Sequence, residues 1–146
     1  SAKKYKGKVD LLVGGSPCQS FSMAGRRGGL DDARGTLFYD FIRVVQESNP
    51  KIFIFENVRG VINHDGGNTW RVMKDIFNSL SNYSWTFKIL NSADYGMPQS
   101  RNRLFVVGIR KVVKGLRNVN KPFLFPQPIS LNKTMQDFLE DLIIHH

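Results

Sequence analysis

The 146-residue sequence has a single cysteine and three histidines, so it can form no internal disulfide and contains no Cys/His set at metal-ligand spacing. That count excludes an internally disulfide-linked scaffold and a Cys-rich metal site, and with no ligand spacing around His64, in the polar turn "NHDGGN", no metal is expected. No apolar run is long enough to span a bilayer, and no signal-peptide pattern opens the chain. Internal repeats and low-complexity tracts are absent, and "GRRGG" matches neither a GxGxxG nor a Walker pattern, which argues against a nucleoside triphosphate site. Acidic residues are scarce: 12 Asp and Glu stand against 21 Lys and Arg, a net charge of +9. The arginines are scattered among aromatics and glycines instead of forming one basic block. The composition predicts a soluble, cytoplasmic protein of about one domain whose simplest partner is a polyanion such as nucleic acid.

The apolar pattern alternates between strand and helix. Val9 to Val13 reads as a short strand, and after a long glycine-rich loop "LFYDFIRVVQES" spaces Leu37, Phe38, Phe41, Ile42 and Val45 along one helical face. Ile52 to Phe55, unbroken by polar residues, predicts a strand covered on both faces. Asn68 or Thr69 is placed to cap a second helix, on which Trp70, Met73, Ile76, Phe77 and Leu80 recur at steps of three and four. "SWTFKIL" and "RLFVVGI" follow as strands, and a last amphipathic helix is expected near Met135, Phe138, Leu139 and Leu142. The order β-α-β-α-β-β implies a doubly wound α/β domain with a parallel sheet and right-handed crossovers.

In such sheets ligands bind beyond the carboxyl ends of the strands. Cys18 lies just past the end of the first strand, in "GGSPCQSFSMAGRRGGLDDARG", where an apolar run has given way to a polar, flexible stretch. That is a poor place for a core thiol. Glu56 ends the second strand. If the two strands are neighbours, roughly 5 Å apart, a thiol and a carboxyl group meet on one edge.

Three short stretches then need a common explanation: "PCQ" at 17 to 19, "ENV" at 56 to 58 and "QSRNR" at 99 to 103. In this order and spacing, with "GGLDDARGTLF", "NHDGGNT" and "LNSADYGMPQ" between them, the chain resembles the DNA cytosine-5 methyltransferases, close to the compact bacterial restriction–modification type. The resemblance runs from about Val9 to about Leu142 and implies the central part of a Rossmann-like methyltransferase domain. It implies that Cys18 is the nucleophile whose thiolate adds to carbon 6 of cytosine, turning carbon 5 into an enamine carbon able to take a methyl group. Glu56 would contact the ring nitrogen beside the exocyclic amine and donate or share a proton, a role that burial beside "IFIF" would favour. Arg101 and Arg103, projecting to one side of an extended segment, would hold a base oxygen, a phosphate and nearby carboxylates, with Gln99 beside them. Pro17, Gln19, Ser22 and Asn57 complete the implied substrate contacts, Asn57 mainly by holding Glu56 and the loop in place. The target carbon is stacked inside a duplex, so the base must be extruded. Gly25, Gly28 and Gly29 would let the loop close over it, and Arg26, Arg27 and Arg34 would meet phosphates.

The methyl donor implied is S-adenosylmethionine, yet the family's aromatic-x-Gly-x-Gly turn does not precede Val9, and only Pro17 and Leu37 match later cofactor contacts. The expectation is therefore a central segment: residues 1–110 as a partial catalytic domain and 111–146 as a tail leading towards a target-recognition region. Its expected partners are double-stranded DNA and either a complementing amino-terminal segment or a second copy, with no membrane and no metal. The isolated segment would neither bind S-adenosylmethionine nor methylate DNA, because the main cofactor turn is expected outside it, and with its first strand an uncovered edge it would self-associate. Two further readings stay open, the same chemistry on transfer RNA and a non-catalytic methyltransferase-like module that binds DNA.

Overall fold

A computed structural model describes residues 1–16, 36–112 and 123–129. Pro17, Cys18, Gln19, Ser22, the glycines and arginines of the loop up to Gly35, and the helix expected near Met135 lie outside the described residues. Strand β1 (Leu11–Gly15) leads towards that loop, helix α1 (Thr36–Ser48) follows it, and β2 (Ile52–Val58) returns to the sheet. Two short 3-10 turns then precede helix α2 (Asn68–Ser79), which is followed by β3 (Tyr83–Asn91) and β4 (Asn102–Arg110).

The sheet order is β1-β2-β4-β3. β1 and β2 pair in parallel, with Gly15 opposite Glu56. β4 is inserted antiparallel to both of its neighbours, with Val58 opposite Arg103 and Asn91 opposite Asn102. The expectation of a wholly parallel sheet is thus corrected. β1, β2 and β3 share one direction, but β4 returns beside β3 after only ten residues, too few for the helical crossover that a parallel neighbour needs. The reversal brings the start of β4 to the edge where β1 and β2 end.

Both helices lie on the same face of the sheet. Phe38, Ile42 and Val45 of α1 and Trp70, Met73 and Phe77 of α2 are buried against Phe53, Phe55, Leu104 and Val106. Phe38 meets Phe55 edge-on at 5.4 Å and Phe77 stacks on Phe53 at 6.0 Å, and each such ring contributes about 1.5–3 kcal/mol by leaving water. Two glycines make room: a Cβ on Gly14 would come within 2.8 Å of the Phe41 ring, and one on Gly108 within 2.1 Å of the Phe53 ring.

β2 is not covered equally on its two faces. Phe53, Phe55 and Asn57 are buried, whereas Ile52, Ile54, Glu56 and Val58 on the other face are only partly so. β1 is an edge strand of the described sheet, and its outer-face residues Leu11 and Val13 are 51% and 62% exposed. Leu37, placed by spacing on the buried face of α1, is 47% exposed at the first turn. Neither Asn68 nor Thr69 caps α2; both lie inside it, and Gly67 at φ 86° makes the entry without a side-chain cap. Thr69 Oγ1 instead pairs with His64 Nδ1 at 2.7 Å. Among the described residues no helix is long and apolar enough to cross a membrane.

Candidate active site

An open cleft of about 330 Å³ lies at the carboxyl ends of β1 and β2, lined by Gly15, Ser16, Glu56, Val58, Arg101 and Arg103. Its volume falls at the lower end of the roughly 300–1,000 Å³ usual for small-ligand sites. β2 delivers Glu56 to it on the face opposite the phenylalanine core, because side chains alternate along a strand. From β4, Arg103 Nε reaches Glu56 Oε1 at 2.8 Å, and Arg103 Nη1 donates to its neighbour's carbonyl, Asn102 O, at 2.9 Å. The carboxyl is not buried as "IFIF" led one to expect: the Glu56 side chain is 38% exposed and faces the cleft.

Arg101 precedes β4, and its place is set by Asn91 at the end of β3. Asn91 Oδ1 accepts from the backbone N–H of Arg101 at 2.9 Å and from that of Ala93 at 3.3 Å. Ser92 N–H donates to Arg101 O at 3.1 Å, and the Ser92 hydroxyl donates to Gln99 O. The Gln99–Arg101 turn is therefore tied by its backbone to β3, which leaves the Arg101 side chain in the cleft with no ion-pair or hydrogen-bond partner among the described residues. The two arginines thus share one cleft but do different things there. Arg103 is occupied by Glu56, and Arg101 is a cation without a partner among the described residues. Gln99 is exposed and does not line the cleft.

Asn57, only 1% exposed, points to the core face. Its Nδ2 donates to Ser16 Oγ at 3.3 Å and its Oδ1 accepts from Val58 N–H at 2.8 Å, so both ends of the amide are engaged within the protein. Leu37 does not line the cleft. Gly15 and Ser16 are cleft residues that motif matching passed over, and Val58, the last residue of "ENV", was matched without a role. The signal for them was present in the rule that sites sit beyond strand ends, applied to the residues just before "PC" and just after "EN".

Two other hollows, of about 300 and 500 Å³, lie at the opposite edge and share Asn49, Ser81 and Asn82. There α1 and α2 end, and the cations serve the carbonyls beyond them: Arg110 Nη1 donates to Asn49 O at 2.7 Å and Lys111 Nζ to Ser81 O at 2.8 Å. Tyr83 O–H donates to Pro50 O at 2.7 Å, and burial pushes its phenol up to about 12. These groups brace helix ends, where the helix dipoles favour positive charge.

A β1-β2-β4-β3 sheet with helices on one face, and a carboxyl–arginine cleft at its strand ends, is a partial Rossmann-like α/β domain. The chain matches the C-5 cytosine-specific DNA methylases over residues 1–145 and belongs to that family. It is 51% identical over 109 residues to the orphan methyltransferase M.SPRI of Bacillus phage SPR, covering 75% of this chain and 25% of that protein. Identity to the type II methyltransferase M.HhaI of Haemophilus parahaemolyticus is 43% over 130 residues, covering 89% and 38%. To M.AquIA of a Picosynechococcus strain it is 42% over 138 residues, covering 88% and 51%. The chain thus spans between about a quarter and a half of the length of these curated relatives. Among solved structures, a protein described as a DNA modification methyltransferase encoded within an Escherichia coli prophage matches with a TM-score of 0.56 at 24% identity, over 89% of this chain and 38% of that one. Spodoptera frugiperda DNMT2 matches with a TM-score of 0.56 at 23% identity, over 84% and 37%. These two likenesses show the fold.

Proposed function

We propose that this chain supplies the base-handling half of a DNA cytosine-5 methyltransferase that uses S-adenosylmethionine and acts in restriction–modification. The observation that carries the reading is the Glu56 carboxyl, gripped by Arg103 at 2.8 Å in an open cleft beside Gly15, three residues before Cys18 in sequence. Family membership over residues 1–145 supports DNA as the substrate class, and the net charge of +9 suits a polyanion.

The chemistry asked of these residues is specific. Cytosine, extruded from the duplex, enters the cleft with its ring nitrogen towards Glu56. The Cys18 thiolate adds to carbon 6, and the displaced electron density moves onto that nitrogen as Glu56 shares a proton with it, leaving carbon 5 nucleophilic. Arg103 keeps one carboxylate oxygen occupied and so orients the other. Arg101, which lines the same cleft, takes a base oxygen or a flanking phosphate. After carbon 5 is methylated its proton is removed, and elimination releases the thiolate. Pro17, Gln19 and Ser22 belong to the same loop as Cys18 in this reading, with the Pro17 carbonyl accepting from the exocyclic amine.

Of the two residues matched to later cofactor contacts, Leu37 is 47% exposed and does not line the cleft, and Pro17 lies outside the described residues. What the cleft residues supply is the handling of the base. The test is a covalent trap. In the intact enzyme, duplex DNA carrying 5-fluorocytosine at the target position should form an adduct that peptide mapping assigns to Cys18, since fluorine cannot leave as a proton does. An adduct on another residue, or one that persists in Cys18→Ser, overturns the reading, and a parallel assay with transfer RNA separates the two substrates.

A further inference from the structure

Glu56 is steered by more than Arg103. Gly15 and Glu56 are the last pair of the parallel ladder among the described residues, and β2 runs on to Val58. Two features of β1 occupy this junction. A Cβ on Gly15 would lie 2.8 Å from Glu56 O and 3.1 Å from Glu56 Oε2, so the carboxyl folds back over a strand position that has no side chain. Ser16, only 7% exposed, then accepts a hydrogen bond from Asn57 Nδ2 at 3.3 Å, and the same amide holds Val58 N–H through Oδ1. A side-chain bridge thus links the two segments just beyond that pair.

We infer that Gly15 and Ser16 are positioning residues for Glu56. Gly15 is the shelf on which the carboxyl lies, opposite the Arg103 grip on Oε1. Ser16 acts through Asn57 to fix the end of β2, so that Glu56 and Val58 keep their places in the cleft. A serine that served only to satisfy a buried amide would affect stability and leave turnover per folded molecule unchanged. A positioning serine also lowers turnover per folded molecule, beyond whatever stability the orphaned Asn57 amide costs. The inference rests on the reading of Glu56 as the group that shares a proton with the base.

The experiment compares Ser16→Ala, Ser16→Thr, Gly15→Ala and Glu56→Gln in the intact enzyme by single-turnover methylation, duplex affinity and Tm, and follows the Asn57 side-chain amide of the same enzyme by NMR. Misplacing a reacting group by about 1 Å costs up to about 100-fold. Gly15→Ala should approach that loss, and Ser16→Ala should lose roughly tenfold, both with DNA affinity little changed. Ser16→Thr, which keeps the acceptor, should restore both the rate and the slow exchange of the Asn57 amide. Wild-type rates in Ser16→Ala and Gly15→Ala, with Glu56→Gln inactive, would overturn the inference alone. A fully active Glu56→Gln would overturn the reading of Glu56 and this inference with it.

Discussion

Replacing Arg103 by Ala separates what the Glu56 pair does for stability from what it does for the reaction. Two unit charges about 4 Å apart attract by about 4 kcal/mol at an effective dielectric of 20. Here the side chains are 20% and 38% exposed, and the guanidinium also donates to Asn102 O. Solvent screening of a pair this open reduces the net contribution to about 1 kcal/mol or less. In the intact enzyme, given that this chain spans about a quarter to a half of its curated relatives, that is a fall in Tm of roughly 2–4 °C or less. The effect on turnover should be far larger, because Glu56 loses the contact that fixes Oε1 and with it the orientation of the oxygen meant for the base; a loss of about 100-fold in single-turnover methylation is expected. Arg103→Lys should fall between, since one ammonium group cannot reproduce the planar guanidinium geometry that serves Glu56 and Asn102 O together. Thermal unfolding monitored by circular dichroism and single-turnover kinetics on the same preparations check both numbers. A Tm fall above about 10 °C with turnover of the folded fraction unaltered would show that Arg103 holds the sheet together and does not orient the carboxyl.

Gly108→Ala should cost about 3 kcal/mol or more, the upper end for overpacking, because the new methyl would sit 2.1 Å from the Phe53 ring between β3 and β2; an unchanged denaturation midpoint would show that the ring does not lie on that glycine. Because β1 is an edge with Leu11 and Val13 exposed, the 146-residue chain should self-associate with rising concentration in sedimentation. Val13→Lys should return it towards monomer, and a wild-type chain that stays monomeric throughout the micromolar range would refute that role for β1.

Much of this protein is legible without a structure because its information is local. The three- and four-residue spacing from Phe38 to Val45 and from Trp70 to Leu80 specifies α1 and α2, since a helix brings those positions onto one face whatever surrounds it. "ENV" and "QSRNR" likewise point to Glu56, Arg101 and Arg103 through their resemblance to a family's motifs. What the chain could not disclose residue by residue was strand direction and facing. "RLFVVGI" has the same apolar character whether β4 runs parallel or antiparallel, and only its entry between β2 and β3 carries Arg103 to Glu56. Phe53 and Ile54 are equally apolar, yet one is buried and the other half-covered because both helices cross on the same side of the sheet. Gly15 and Ser16 read as a flexible lead into "PC". They become the bed of the Glu56 carboxyl and the partner of Asn57 only when a strand 41 residues further on is laid beside them. Periodicity and residue chemistry are properties of neighbours along the chain. The cleft is assembled by pairing between strands far apart in it, and that is decided by how the whole sheet packs.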